Sequence, residues 1–126
     1  QKEAAARNVA WLAVNSTETA HGDYLSPAQL GRWMNAQQAV PTATLMDEDG
    51  QVGKAYDARV TPHMYIIDPQ GRLIYAGGID SIRSARVEDI KTATNYVRAS
   101  LDEALAGKAV SRPTTQAYGC SIKYRG

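Results

Sequence analysis

The sequence predicts an α/β fold built on a mixed sheet with helices on both faces. Three observations predict it. Segments of strand character alternate with helical ones, the first strand segment is an unbroken apolar run, and two late strand segments are joined by a tight turn. Alternation implies a parallel portion, the unbroken run implies burial on both faces, and the late hairpin adds an antiparallel edge.

The elements follow in order. Gln1 to Arg7 (QKEAAAR) reads as the last turns of a helix, rich in strong helix formers and without an N-capping residue before it. This implies a chain that is truncated, processed or partly represented, with any targeting signal upstream. Val9 to Val14 (VAWLAV) is the apolar strand, closed by Asn15-Ser16. Thr17 to Leu25 is polar, carries Gly22 and reads as a surface loop.

Ser26 opens a helix. Ser26 and Gln29 have capping-box spacing, Pro27 occupies the first helical position, and Leu25 and Leu30 are placed for a hydrophobic staple. Leu30, Trp33 and Met34 share the predicted inner face. Ala43 to Met46 is a short strand ended by the turn residues Asp47 to Gly50. Gln51 to Tyr56 is predicted to be a short helix with Val52, Ala55 and Tyr56 facing inward.

Met64 to Ile67 (MYII) and Leu73 to Ala76 (LIYA) flank Asp68-Pro69-Gln70-Gly71, the pattern of a type I turn within an antiparallel hairpin. Gly77-Gly78 ends it. A last helix is predicted from about Val87 to Ala106, with Val87, Ile90, Val97, Leu101 and Leu105 along one face and Gly107 as its stop. Arg112 to Gly126 shows no helical period and reads as a tail.

Composition narrows the function. One domain fits in 126 residues, with room for a core that needs no staples. Hydrophobic residues at 44% and charged residues at 21% exclude a disordered acidic tail. The longest apolar runs are about six residues, against the ~20 of a membrane helix, so no membrane insertion is expected. A formal charge of +1 advertises no nucleic-acid partner. The single cysteine, Cys120, excludes an internal disulfide framework, a CxxC pair and a cysteine-rich zinc site.

Few residues carry chemistry. Thr61-Pro62 stands directly before the MYII segment. Proline lacks the N–H that a ladder needs, so Pro62 marks where that strand begins, and the dipeptide alone reads as a trans proline, the cis form being the rarer one. Cys120 lies in Gly119-Cys120-Ser121-Ile122-Lys123-Tyr124. It reads either as a reactive thiol, favoured if Lys123 lies close, or as an inert thiol packed like a small hydrophobe. His21 and His63 are the only histidines and have no spaced ligand partner, so no metal site is expected. His63 follows Pro62, either beside a site formed by that loop or as a hydrogen-bonded side chain at the strand start. Asp47, Asp49 and Gly50 lack the rest of a calcium loop, and Gly77-Gly78 opens no phosphate-binding helix. The mixed charges of Glu88, Asp89, Lys91, Arg98, Asp102 and Glu103 read as a solvated helix face. No Ser/His/Asp arrangement suggests a hydrolase. No cofactor is expected.

WLAVNS, LMDEDGQVGKAY, VTPHMYIIDPQGRLIYAGGID, the helix ending LAGK and the closing YGCSIKY together resemble the thioredoxin-like redoxins of the alkyl hydroperoxide reductase/thiol-specific antioxidant group. The likeness runs from Gln1 to Tyr124. It implies a single thioredoxin-like domain over 1–126, a three-layer α/β/α sandwich with a mixed sheet, and residues 107–126 as its C-terminal tail. It also implies that Thr61-Pro62 matches the cis-proline loop of that fold, with Thr61, Pro62 and His63 beside the substrate.

In this group the redox cysteine stands at the N-terminus of a helix that follows a central strand. The resemblance places both before Gln1, so that the first strand and the start of the active-site helix are missing here. An open slot in a sheet leaves unpaired backbone groups, which are costly when buried. The missing strand is expected from residues outside these 126, from a neighbouring copy swapping a strand, or from a rearranged sheet.

The resemblance makes Cys120 a candidate resolving cysteine for a mixed disulfide or sulfenic acid on the upstream residue. It implies a bacterial thiol–disulfide oxidoreductase or antioxidant thiol peroxidase acting on a protein disulfide, a dithiol or a peroxide, the 126 residues alone being inactive. Members are often exported, which implies a periplasmic setting. The competing expectation is a non-catalytic thioredoxin-like binding or scaffold module, distinguished by an upstream segment without cysteine.

Overall fold

The structure, a computed structural model, describes residues 1–81 and 93–125. Its elements are α1 (Lys2–Ala6), β1 (Leu12–Asn15), α2 (Pro27–Ala36), β2 (Ala43–Met46), α3 (Gln51–Ala55), β3 (Val60–Thr61), β4 (Met64–Ile67), β5 (Leu73–Gly77), α4 (Tyr96–Leu105) and β6 (Cys120–Ser121). The chain divides into two compact units, Gln1–Ala58 with Ile122–Gly126, and Arg59–Ser121.

In the first unit β1 and β2 run parallel, Leu12 opposite Ala43 and Val14 opposite Leu45. This pairing realises the predicted parallel portion. The expected burial of β1 on both faces does not hold, because Leu12 is 56% and Val14 43% exposed. Their register partner Leu45 is exposed as well, so one face of this two-stranded sheet lies open. Among the described residues β1 pairs with β2 alone.

Helix α2 starts as its sequence dictates. Ser26 Oγ accepts from Gln29 N–H at 3.3 Å, and Gln29 Oε1 accepts from Ser26 N–H at 2.9 Å. Two otherwise unpaired donors at the helix start are thereby satisfied. The predicted inner face needs one correction. Trp33 is 54% exposed, while Leu30 and Met34 are half-buried. The helix turns inward through Met34, whose sulfur accepts from Thr44 Oγ1 at 3.4 Å.

Helix α3 is also oriented otherwise than predicted. Val52, Ala55 and Tyr56 are exposed, and Gly53 is the buried residue. A Cβ at Gly53 would stand 2.8 Å from Ser16 Oγ and would overlap the Tyr124 hydroxyl. The helix therefore packs through its bare glycine, and larger side chains on that face have nowhere to go. Tyr124 lies against this surface, donates to the Ala58 carbonyl at 2.6 Å and carries Lys54 Nζ 5.4 Å from its ring centroid.

Among the described residues the second unit holds two antiparallel strand pairs. β4 and β5 form the predicted hairpin, Met64 opposite Gly77 and Ile66 opposite Tyr75, closed by Gly71 N–H donating to the Asp68 carbonyl at 2.9 Å. Helix α4 packs on β4, and Ile66, Tyr75, Val97 and Ser100 are buried. Asn95 caps α4, its Oδ1 accepting from Arg98 N–H at 2.9 Å. The last helix thus begins at Tyr96, because Asn95 holds an extended backbone that breaks any run from Val87. Leu105 of the predicted face is exposed, and Val87 and Ile90 lie outside the described residues.

Candidate functional site

The tail is more ordered than its lack of periodicity suggests, because its backbone pairs with strands. Pro113 and Thr115 run along β5, the Pro113 carbonyl accepting from Ala76 N–H at 2.9 Å and Thr115 N–H donating to the Ala76 carbonyl at 3.2 Å. Tyr75, 1% exposed, anchors this strip from below. Its hydroxyl donates to the Gly78 carbonyl at 2.5 Å and lies 2.6 Å from Thr115 Oγ1, and that Thr115 oxygen accepts from Gly78 N–H at 2.9 Å. Burial pushes the Tyr75 phenol above its ordinary value, against the opposing hydrogen bond from Thr115. A phenol so placed stays a neutral donor.

One step further along, the Tyr118 hydroxyl donates to Asp80 Oδ1. That bond, with some burial and the carboxylate charge, pushes the Tyr118 phenol up to about 12. Asp80, Ser81, Tyr96, Gln116 and Tyr118 line a shallow polar pocket here.

The tail then crosses to the proline loop. β6 pairs antiparallel with β3, Thr61 opposite Cys120 and Val60 opposite Ser121. Gly119 makes the crossing. Its φ is +141°, and a Cβ there would fall upon the Thr61 carbonyl oxygen. Only glycine lets the two backbones approach so closely. The Thr61–Pro62 peptide bond is cis, not trans as the dipeptide alone reads.

Three of the residues singled out from the sequence therefore meet in one place. Thr61 and Pro62 are exposed, and Cys120 is an exposed free thiol held opposite Thr61. His63 follows directly. Its ring stacks on Tyr65 with centroids 4.8 Å apart at 14°, and its Nδ1 accepts from Arg59 N–H at 3.4 Å. Gly119 is the site residue that sequence reasoning missed, although a glycine directly before the sole cysteine was its visible signal.

A second polar cluster lies in the first unit. Asp47, 6% exposed, accepts from Ser16 Oγ at 2.6 Å, Gly53 N–H at 2.8 Å and Val52 N–H at 3.1 Å. Burial works against the charged form, but the Ser16 hydroxyl, the two amides and Asp49 outweigh it. The Asp47 carboxyl is held below its ordinary value of 3.8. With every oxygen engaged by an internal donor, this carboxylate is a structural brace rather than a proton carrier. Among the described residues no group of three or more His, Cys, Asp or Glu side chains is placed to hold a metal ion. Nor is any helix among them long and apolar enough to cross a membrane.

The chain has a mixed α/β fold of the thioredoxin-like redoxin kind. The family model for AhpC/TSA matches residues 1–76, and the chain belongs to that family, one of thioredoxin-like redox and peroxidase modules. Crystal structures similar to it include the following two. A hypothetical protein from Sinorhizobium meliloti 1021 is 28% identical with a TM-score of 0.83, the match covering 99% of this chain and 67% of that one. An uncharacterized conserved protein from Geobacillus kaustophilus is 29% identical with a TM-score of 0.82, covering 98% and 64%. The chain thus spans about two thirds of the length of these solved relatives. No curated protein matches it significantly.

Proposed function

We propose that this chain is the Cys120-bearing part of a thiol–disulfide oxidoreductase or thiol-dependent peroxidase, in which Cys120 is the resolving thiol. The observation that carries the reading is the pairing of Cys120 with Thr61, next to Pro62 and His63, in a member of the AhpC/TSA family. A disulfide needs two sulfurs and these residues supply one, so the partner sulfur comes from outside the 126 residues.

In the peroxidase form the partner thiolate attacks the peroxide, the O–O bond breaks, an alcohol leaves, and the sulfur becomes a sulfenic acid. The Cys120 thiol then condenses with that sulfenic acid, forming the S–S bond and releasing water. An external dithiol reduces the disulfide and is itself oxidised. In the oxidoreductase form the partner thiolate attacks a substrate disulfide, forming a mixed disulfide and releasing one substrate thiolate. The Cys120 thiolate then attacks the partner sulfur, forming the Cys120–partner disulfide and releasing the second substrate thiolate. Thr61, Pro62 and His63 border the space in which the substrate lies. The 126 residues alone hold no such couple and are inactive.

The test is a thiol titration of the complete protein after one equivalent of peroxide, with Cys120→Ser as the control. Loss of two thiols per chain in the wild type, against sulfenic acid accumulation in the variant, supports resolution by Cys120. An unreacted Cys120 after the partner is oxidised overturns it.

A further inference from the structure

We infer that β6 is a strap built into the chain that occupies one edge of β3 and closes that edge to extended polypeptides. The reasoning concerns the backbone and holds whether or not Cys120 turns over. A strand edge is a row of unpaired amides and carbonyls, and an extended peptide adds to it as a further strand. At Val60–Thr61 that position is taken by Cys120–Ser121 of the same chain.

The fit identifies what the edge accepts. Directly opposite the Thr61 carbonyl the tail places Gly119, with a φ of +141° and no room for a Cβ. A competing segment that follows the path of the tail has to bring a glycine to the same point. The strap is also held upstream, through Thr115 on β5 and Tyr118 on Asp80. An occupant tethered so close competes at an effective concentration on the order of millimolar. A free peptide of micromolar affinity therefore stays off this edge in the intact chain, while a small solute that needs no strand edge is not excluded. Both Thr61 and Cys120 are exposed, so removal of the strap uncovers the edge without opening a core.

The experiment uses the full chain and a fluorescent synthetic peptide of residues 117–124 carrying Cys120→Ser. Binding is measured by anisotropy to the wild type and to the Gly119→Val chain, whose own strap no longer seats on Thr61. The peptide is expected to bind the variant at least about a hundredfold more tightly than the wild type, as the loss of a tethered competitor requires. A peptide that also carries Gly119→Val is expected to bind neither. Equal affinity for the two chains, or no binding to a folded variant, overturns the inference. Hydrogen exchange on the unmodified chain decides it independently of the variant's folding. Protection is expected across 60–61 and 120–121, and exchange there at the rate of an unstructured peptide overturns it.

Discussion

Thr61 and Cys120, far apart in the chain, are direct partners in an antiparallel strand pair. Gly119 sets how close they come, since its missing Cβ is the space occupied by the Thr61 carbonyl. The tail thiol is thus fixed beside the proline loop by backbone geometry.

Gly119→Ala is expected to loosen this pair. The added methyl meets a carbonyl and the positive φ disfavours any side chain, a cost of about 1–3 kcal/mol. Part of that cost is relieved by detachment of β6. The check is Cys120 alkylation, expected several-fold faster in the variant, alongside a lowered Tm.

Asp47→Asn is expected to destabilise the first unit by about 2 kcal/mol, because charged hydrogen bonds become neutral ones. The pH dependence has a definite sign. The folded carboxyl lies below 3.8, so its contribution is fully present above that value and fades as pH falls through the lower folded one. Denaturant melts between neutral and strongly acidic pH are expected to show this loss in the wild type and a shallower one in the Asn variant.

Tyr124 and Gly53 interlock, and their variants are expected to differ in severity. Tyr124→Phe removes the bond to the Ala58 carbonyl and costs about 1 kcal/mol. Gly53→Ala forces a methyl into Tyr124 and Ser16 and costs about 1–3 kcal/mol. Urea melts of both variants measure the order, with Gly53→Ala expected to be the less stable.

Tyr118 is expected to titrate late. Its phenol is pushed up to about 12 by the bond to Asp80, so the stabilisation it gives is complete below pH 10 and is lost as pH rises towards 12. Tyrosinate absorbance is expected to show one fewer early-titrating group than in Asp80→Asn, where the acceptor charge is gone.

What was legible in the sequence is local. The capping box needs only Ser26 and Gln29 three positions apart, and the hairpin needs only the turn residues Asp68 to Gly71 between two apolar runs. What was not legible depends on partners distant in sequence. Periodicity says that VAWLAV is a strand, yet Leu12 and Val14 are exposed because burial depends on what covers a sheet. The inward role of Gly53 arises from Tyr124, which no helical pattern links to it. Helix α4 begins at Tyr96 because Asn95 caps it, a signal submerged in a longer apolar repeat. For the candidate site, Thr61, Pro62, His63 and Cys120 are each visible as residue types. The pairing of Thr61 with Cys120 is a tertiary fact, carried by a two-residue strand with no period of its own.

The most direct test of the redox role of Cys120 is disulfide mapping by mass spectrometry. The complete protein is treated with one equivalent of peroxide, blocked with an alkylating reagent and digested. Cys120 is expected in a disulfide with a cysteine from outside residues 1–126, and this linkage is expected to vanish on dithiol reduction. Recovery of Cys120 as the alkylated thiol, while the partner cysteine is oxidised, would contradict the assignment.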